Sequence, residues 1–121
     1  MNIIYVALGA AAGGVARYLT SLVITPEQGA FPWATFMVNI IGSFIIGVLL
    51  VLYSERSANE PLRLLLAVGF CGGLTTFSTF SAETMQLFQM QKELLAFAYI
   101  GSSVVGSLGA TYCGYVMMRS I

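Results

Sequence analysis

The chain has 121 residues, of which 58% are hydrophobic and only 8% are charged, with five basic and five acidic side chains. A soluble domain typically carries about a quarter charged residues, so a water-soluble globule of this composition could not solvate its surface. Disordered segments are poor in apolar residues and nucleic-acid-binding domains carry a basic footprint. The mean hydropathy of +0.87 and the net charge of zero argue against both classes. The composition therefore predicts an integral membrane protein whose solvent is largely lipid.

Four apolar stretches follow one another along the chain. One transmembrane helix needs about 20 mostly apolar residues, so 121 residues hold at most four spans joined by short loops. Turn-forming and polar residues at 25–29, 54–61 and 89–93 mark the expected loops. The prediction is an all-α integral membrane protein with a single four-helix transmembrane domain over 1–121. Its spans are expected at about Ile3–Ile24, Phe31–Tyr53, Leu62–Phe88 and Leu94–Met118.

The loops carry little charge with which to fix an orientation. Four spans would place Arg56, Arg63 and Arg119 on one side of the membrane and Lys92 on the other. Three against one is a weak positive-inside bias, which either fixes a single topology or lets both orientations insert.

The chain contains no histidine and two cysteines. Histidine is the usual proton shuttle and the commonest metal ligand, and the sequence holds no nucleophile–base pair or metal cluster. An enzyme is therefore not expected. Cys71 and Cys113 lie inside apolar stretches and are expected to be buried thiols.

Small residues recur every four positions in two of the spans. Because small side chains let helix backbones approach closely in membranes, these stripes are interpreted as packing surfaces. They comprise Gly9 and Gly13 in the first span, and Ser102, Gly106, Ala110 and Gly114 in the fourth.

Polar side chains within the first two spans are candidates for a transport path. Arg17 lies about two-thirds of the way along the first span, where a charge costs roughly 2.5 kcal/mol or more and usually faces a cavity or partner. It either snorkels to the interface or stands at the mouth of an anion path. Thr35, Asn39 and Ser43 share one face of the second span, as hydrogen-bonding glue between helices or as part of that path.

The fourth span carries a line of hydroxyl groups beside its small-residue stripe. Ser103, Ser107 and Thr111 recur at four-residue spacing, and Tyr115 extends the line. Each hydroxyl can donate one hydrogen bond to a passing anion. Hydroxyls that bond back to their own helix would look the same in sequence, but the regular spacing favours a track.

The centre of the third span combines a helix-breaking pattern with aromatic rings. The glycine pair and two threonines at 72–76 are poor helix formers, which predicts a third helix broken at mid-membrane. Unwound backbone is tolerated there only where it lines a cavity or coordinates something, and free carbonyls can hold a small cation. Phe77 and Phe80 share a face, so that their positive ring edges could stabilise a poorly hydrated anion. Thr76, Thr79 and Glu83 lie on a neighbouring polar face, with Glu83 either on the path or merely interfacial.

Three motifs together resemble the Fluc (CrcB-type) family of fluoride channels, and the likeness covers essentially the whole chain. The most specific is the ten-residue stretch at 72–81, GGLTTFSTFS; the others are GGVAR at 13–17 and VNIIGS at 38–43. The resemblance implies an antiparallel, dual-topology homodimer with two pores in the cell membrane. Each pore would pass fluoride passively out of the cytoplasm and so confer resistance.

The resemblance also implies roles for individual residues. Phe77 and Phe80 would line the pore, with Asn39 as a nearby amide donor. Ser107 and Thr111 would form the hydroxyl track, in which Ser103 takes a variable polar position. Arg17 would lie in a vestibule and Glu83 on a polar path. Backbone carbonyls of Gly72 and Thr75 from both subunits would hold a structural sodium ion on the dimer axis.

The main alternative is a proton-coupled exporter of cationic compounds of the small multidrug-resistance type, which is also short and four-span. Such a transporter needs a membrane-embedded carboxylate in its first span, where this chain has Arg17 and no acid. A small structural subunit of a larger complex is a third class, but a scaffold gains nothing from a broken helix.

Overall fold

The computed structural model describes residues 1–121, and all of its regular elements are helices. In chain order they are α1 Asn2–Val23, α2 Trp33–Ser54, α3 Glu60–Arg63, a π-helix Leu64–Cys71, α4 Gly72–Leu74, α5 Phe77–Gln89 and α6 Glu93–Ser120. Four stretches are long and apolar enough to cross a membrane, namely Asn2–Val23, Trp33–Ser54, Glu60–Gln89 and Glu93–Ser120. The prediction of an all-α protein with four spans is confirmed, and each predicted boundary lies within two residues of the observed one.

The polar stretch between the second and third spans is shorter than predicted. α2 continues through Ser54, and α3 already begins at Glu60. The side chain of Asn59 caps α3 by accepting a hydrogen bond of 3.0 Å from the Leu62 N–H. Pro61 fits the first turn, because an N–H there has no helical partner to lose.

The helical backbone of the third span is interrupted at two threonines. α4 ends at Leu74, Thr75 and Thr76 adopt extended backbone with ψ of 155° and 121°, and α5 begins at Phe77. β-Branched side chains after a glycine pair disfavour continuation of the helix. The Thr76 hydroxyl then caps α5 by accepting a hydrogen bond of 3.1 Å from the Thr79 N–H. The Thr76 side chain therefore disfavours a continuous helix and also caps the helix that follows.

Glycines bring α1 and the first half of the third span into direct backbone contact. A Cβ atom added at Gly9 or Gly13 would collide with carbonyl oxygens of Leu65 or Phe70, and one added at Gly73 would collide with the Ala10 carbonyl. The predicted packing surface in the first span is confirmed. The facing segment is the π-helix Leu64–Cys71, whose wider turn no pattern in the sequence indicates.

α2 packs mainly against α6, not against its sequence neighbour α1. A Cβ atom at Gly114 would collide with the Phe44 carbonyl, and one at Gly47 with the Thr111 carbonyl. Gly106 lies against the side chain of Ile40. Gly106 and Gly114 of the small-residue stripe thus pack on α2 as predicted, whereas Ser102 at the start of the stripe is exposed.

The two cysteines differ in their surroundings. Cys71 is buried as expected, but Cys113 is exposed, so the prediction of a buried thiol there is wrong. Both sit in apolar sequence, but Cys113 lies on the outer face of α6, which also presents Val105, Leu108 and Tyr112. An apolar neighbourhood in a membrane helix does not distinguish a face that packs on protein from one that contacts lipid.

Candidate functional site

A cleft of about 430 Å³ lies between α2, the start of α5 and α6, and no charged residue lines it. We call it the uncharged cleft. Its lining includes nine residues that the sequence singled out, namely Asn39, Ser43, Thr75, Thr76, Phe77, Phe80, Ser103, Ser107 and Thr111. The structure therefore brings together polar groups from three spans that were predicted separately.

Asn39 fastens the interruption of the third span to α2. The Thr76 N–H donates a hydrogen bond of 2.8 Å to Asn39 Oδ1, and Asn39 Nδ2 donates one of 3.2 Å to the Thr76 carbonyl. The amide thus satisfies both backbone groups of an extended residue that has left its helix. An amide nitrogen carries two hydrogens, so one donor of Asn39 remains for the cleft that it lines.

The two phenylalanines stand next to each other but differ in exposure. Their ring centroids are 5.5 Å apart with planes inclined by 46°. Phe80 is 9% exposed, whereas Phe77 is 78% exposed. Phe77 therefore forms an open border of the uncharged cleft, which a single chain does not close.

The hydroxyl line of α6 divides into groups with different partners. The buried Ser103 hydroxyl has no hydrogen-bond partner, and Ser107 lines the same cleft. The Thr111 hydroxyl donates a bond of 3.0 Å to the Ser43 carbonyl, so its hydrogen serves the contact between α6 and α2. Tyr115 lies outside the cleft, where its hydroxyl contacts Glu55. Because buried hydroxyls are normally paired, Ser103 is the exceptional member of the line.

A second cleft, of about 380 Å³, contains the two charged residues that lie away from the ends of the spans, Arg17 and Glu83. We call it the charged cleft; it is lined by Arg17, Glu83, Thr35, Thr79, Gly14, Tyr18, Ser21, Pro26, Pro32 and Ala34. Arg17 and Glu83 share this space without forming an ion pair with each other. The structure thus groups Thr79 with the two charged candidates and not with the phenylalanines.

Glu83 is half-buried, and both oxygens of its carboxylate accept hydrogen bonds from other helices. The Thr35 hydroxyl donates a hydrogen bond of 2.5 Å to Oε1 of Glu83, and the Tyr99 hydroxyl donates one of 3.2 Å to Oε2. Each carboxylate oxygen is therefore held by a hydroxyl from a different helix, α2 or α6.

Tyr99 connects the two clefts, and the sequence reasoning missed it. Its side chain is fully buried, its hydroxyl reaches Glu83 of the charged cleft, and its ring lies 5.0 Å from that of Phe80 in the uncharged cleft. A signal was present, because Tyr99 precedes Ser103 by four residues and begins the hydroxyl line. The aromatic ring made it look like part of an apolar surface.

The carbonyl groups of Gly72 and Thr75, the expected ligands of a cation, lie beside the interruption of the third span. The Thr76 N–H, which a continuous helix would direct to the Gly72 carbonyl four residues earlier, instead bonds to Asn39. Thr75 is extended, and only its N–H and hydroxyl bond back to Cys71. Gly72 is also exposed, with open space beside its Cα atom. Oxygen ligands of this kind suit a hard cation, so these residues fit a sodium ion.

Four membrane-spanning helices with polar clefts between them define a small multi-pass membrane protein with the features of a transport protein. Residues 4–115 match the family described as CrcB-like protein, Camphor Resistance (CrcB). The chain belongs to this family and is a multi-pass protein of the cell membrane.

Several relatives carry the name fluoride-specific ion channel FluC. The protein from Flavobacterium psychrophilum is 45% identical over 99% of this chain and 98% of its own length. The protein from Magnetococcus marinus is 46% identical over the full length of both chains, and that from Hahella chejuensis is 45% identical over 99% of this chain and 96% of its own. These relatives support the resemblance and give no support to the multidrug exporter.

Proposed function

We propose that this chain forms a passive, fluoride-selective ion channel that exports fluoride from the cytoplasm. The names of its relatives point to this ion. The observation that carries the proposal in this chain is the unpartnered, buried hydroxyl of Ser103, a residue that lines the uncharged cleft together with two phenylalanines and an amide. A small anion that accepts a hydrogen bond is the partner this hydroxyl lacks.

The chemistry of the uncharged cleft suits an anion that must enter and leave. Conduction requires binding that is favourable yet weak enough to release the ion. Ser103, Ser107 and the second amide hydrogen of Asn39 supply donors, and the rings of Phe77 and Phe80 supply positive edges. A fixed cation would hold the ion too tightly, and none lines this cleft.

The charged cleft supplies the approach to this path. Arg17 raises the local concentration of anions at its mouth. The anion then meets Glu83, whose two oxygens already accept hydrogen bonds from the hydroxyl groups of Thr35 and Tyr99. Passage requires that one hydroxyl turn from the carboxylate to the anion, so Glu83 regulates which donors are available. No covalent bond is made or broken in this process, so it involves no enzymatic activity.

The functional unit is an antiparallel, dual-topology homodimer with two pores. Phe77 leaves the uncharged cleft open on one side, and four helices alone barely enclose a pore, so a second copy is needed to close it. The nearly balanced loop charge is compatible with insertion in both orientations. The interruption at Thr75 and Thr76 lies near the middle of the span Glu60–Gln89, which supports a helix broken at mid-membrane.

A structural sodium ion completes the proposed dimer. Gly72 and Thr75 of each copy would contribute the carbonyls described above, and the ion would add rigidity where two interrupted helices meet. Electron density between two copies that is ringed by these carbonyls at sodium–oxygen distances supports the assignment. Water at hydrogen-bond distances there would contradict it.

The proposal is tested by efflux from proteoliposomes. Purified protein is reconstituted in vesicles loaded with fluoride or with chloride, without a proton gradient, and release is followed with ion-selective electrodes. We expect rapid fluoride release and no chloride release above that of empty vesicles. Absence of fluoride release from dimeric, helical protein would overturn the channel, and release that needs a proton gradient would indicate a coupled transporter.

A further inference from the structure

Five aromatic rings form a continuous series from the α1–α2 loop into the uncharged cleft. The successive ring centroids are 4.5 Å apart for Trp33 and Phe31, 5.3 Å for Phe31 and Tyr99, 5.0 Å for Tyr99 and Phe80, and 5.5 Å for Phe80 and Phe77. Only Phe31 of this series belongs to a loop, and it precedes the cap residue of α2, Pro32. Through the side chain of Phe31, the loop therefore contacts Tyr99, the residue that connects the two clefts.

Phe31 meets Tyr99 in an edge-to-face arrangement. Their planes are inclined by 77°, a geometry in which the positive edge of one ring faces the negative face of the other. Tyr99 is completely buried, with Phe31 on one side and Phe80 on another. These two rings restrict the tilt of the Tyr99 ring and so restrict where its hydroxyl points.

The loop that carries Phe31 is itself anchored. Lys92 Nζ donates a hydrogen bond of 2.7 Å to the Gly29 carbonyl, and the Ala30 N–H donates one of 3.1 Å to the Glu27 carbonyl. Gly29 has a φ of 78°, which glycine adopts without strain. A ring on an anchored loop can hold a neighbour in place, whereas a ring on a free loop would move with it.

We infer that Phe31 is a positioning residue for the ion path, acting through Tyr99. It holds the Tyr99 ring in the orientation from which the hydroxyl, bonded to Glu83 at rest, can turn to an arriving anion, so that loss of the Phe31 ring makes this exchange slower. This inference rests on the proposed function, because it assigns to a loop residue the control of a donor used in fluoride passage. It also predicts that the α1–α2 loop affects conduction without contributing a polar group.

The test removes the ring while retaining apolar volume. Phe31→Leu is expected to slow fluoride release from proteoliposomes by roughly two- to tenfold, the range that one aromatic pair contributes. Phe31→Tyr keeps the ring and is expected to release fluoride at close to the original rate. Phe97→Leu is the matched control, because Phe97 packs edge-to-face on Phe88 at 5.5 Å and is 63% exposed, away from Tyr99.

A double-mutant cycle separates positioning from general destabilisation. Tyr99→Phe keeps the ring and removes the hydroxyl, so adding Phe31→Leu to it should cause no further slowing. If the two effects on the rate multiply, Phe31 acts on structure at large and the inference is overturned. The same holds if Phe31→Leu releases fluoride at the original rate, or if Phe31→Tyr is as slow as the leucine variant.

Folding and transport are assessed for every variant. Dimer content is measured by size-exclusion chromatography, and Phe31→Met replaces the leucine variant if that one does not yield a dimer. If neither variant forms a dimer, Phe31 is a residue of the fold and the positioning role is rejected. Because the unaltered protein is assayed in parallel, its own failure to release fluoride would count against the channel, not against Phe31.

Discussion

The two clefts are similar in size but opposite in chemistry, and the contrast indicates how an anion could be attracted without being trapped. The charged cleft contains Arg17 and Glu83, whereas the uncharged cleft is lined by hydroxyls, an amide, aromatic rings and aliphatic side chains. Charge acts over distance and raises the local ion concentration, while neutral donors act at contact and release the ion readily. In the proposed channel, the approach of the anion and its passage therefore depend on different groups of residues.

The strongest way to break this contrast is to place a charge in the uncharged cleft. Asn39→Asp keeps an acceptor for the Thr76 N–H but loses the donor to the Thr76 carbonyl and adds a negative charge. Leaving buried polar groups unmatched costs about 1–3 kcal/mol. We expect fluoride efflux to fall by at least about tenfold.

Thr35→Ala serves as the comparison for that variant, because Thr35 lies four residues earlier on the same face of α2 but lines the charged cleft. Its loss should slow efflux less than Asn39→Asp does. If the aspartate variant conducts normally as a dimer, Asn39 has only a structural role and the neutral cleft is not the path.

A smaller effect is expected from removing a single neutral donor. Ser103→Ala should slow efflux by roughly two- to tenfold, as expected for one hydrogen bond of about 0.5–1.5 kcal/mol. The thermal unfolding of the dimer should not suffer, because the Ser103 hydroxyl has no partner to lose.

The neighbouring residue provides the control for Ser103. The exposed Ser102 hydroxyl donates to the Tyr99 carbonyl of its own helix at 3.3 Å, so Ser102→Ala should leave efflux unchanged. Equal rates for Ser103→Ala and the unaltered protein would show that the buried hydroxyl does not meet the ion.

The smallest effect is expected at the charged cleft. Arg17→Gln should slow fluoride efflux about two- to threefold at low ionic strength, because a charge at the rim mainly affects the rate of arrival. The difference should shrink at 1 M salt, where the Debye length is only about 3 Å. Efflux is measured with a non-permeant salt at both concentrations.

Arg56→Gln is the matched control for Arg17→Gln. Arg56 is exposed and donates to the Met118 carbonyl, far along the chain from the charged cleft. It should show neither the slowing nor the salt dependence. A large effect of Arg17→Gln that persists at high salt would place Arg17 in the path itself and would remove the contrast between the clefts.

Sequence alone predicted the spans and much of the uncharged cleft because these depend on local patterns. Hydropathy marked the four helices, and four-residue spacing aligned Ser103 with Ser107 on one face. The pairing of Asn39 with Thr76 joins positions 37 residues apart, and no spacing rule covers it. This pairing can be recognised only from a structure in which α2 lies beside the interrupted span.

Other features escaped the sequence for identifiable reasons. Tyr99 was overlooked because a tyrosine between apolar residues is normally part of a packed surface, and its partner Glu83 is on another helix. The π-helix Leu64–Cys71 has the same apolar composition as an ordinary helix. Cys113 was expected to be buried but is exposed, because lipid-facing and protein-facing positions are equally apolar in sequence.

The packing of α1 on the third span and of α2 on α6 has a consequence for how the chain is made. Neither of the first two helices has its main partner next to it in the sequence, so a nascent chain holding only α1 and α2 cannot form its principal contacts. α1 must wait for the third span, and α2 for the fourth. The subunit therefore completes its tertiary structure only late in synthesis, after its final helix has entered the bilayer.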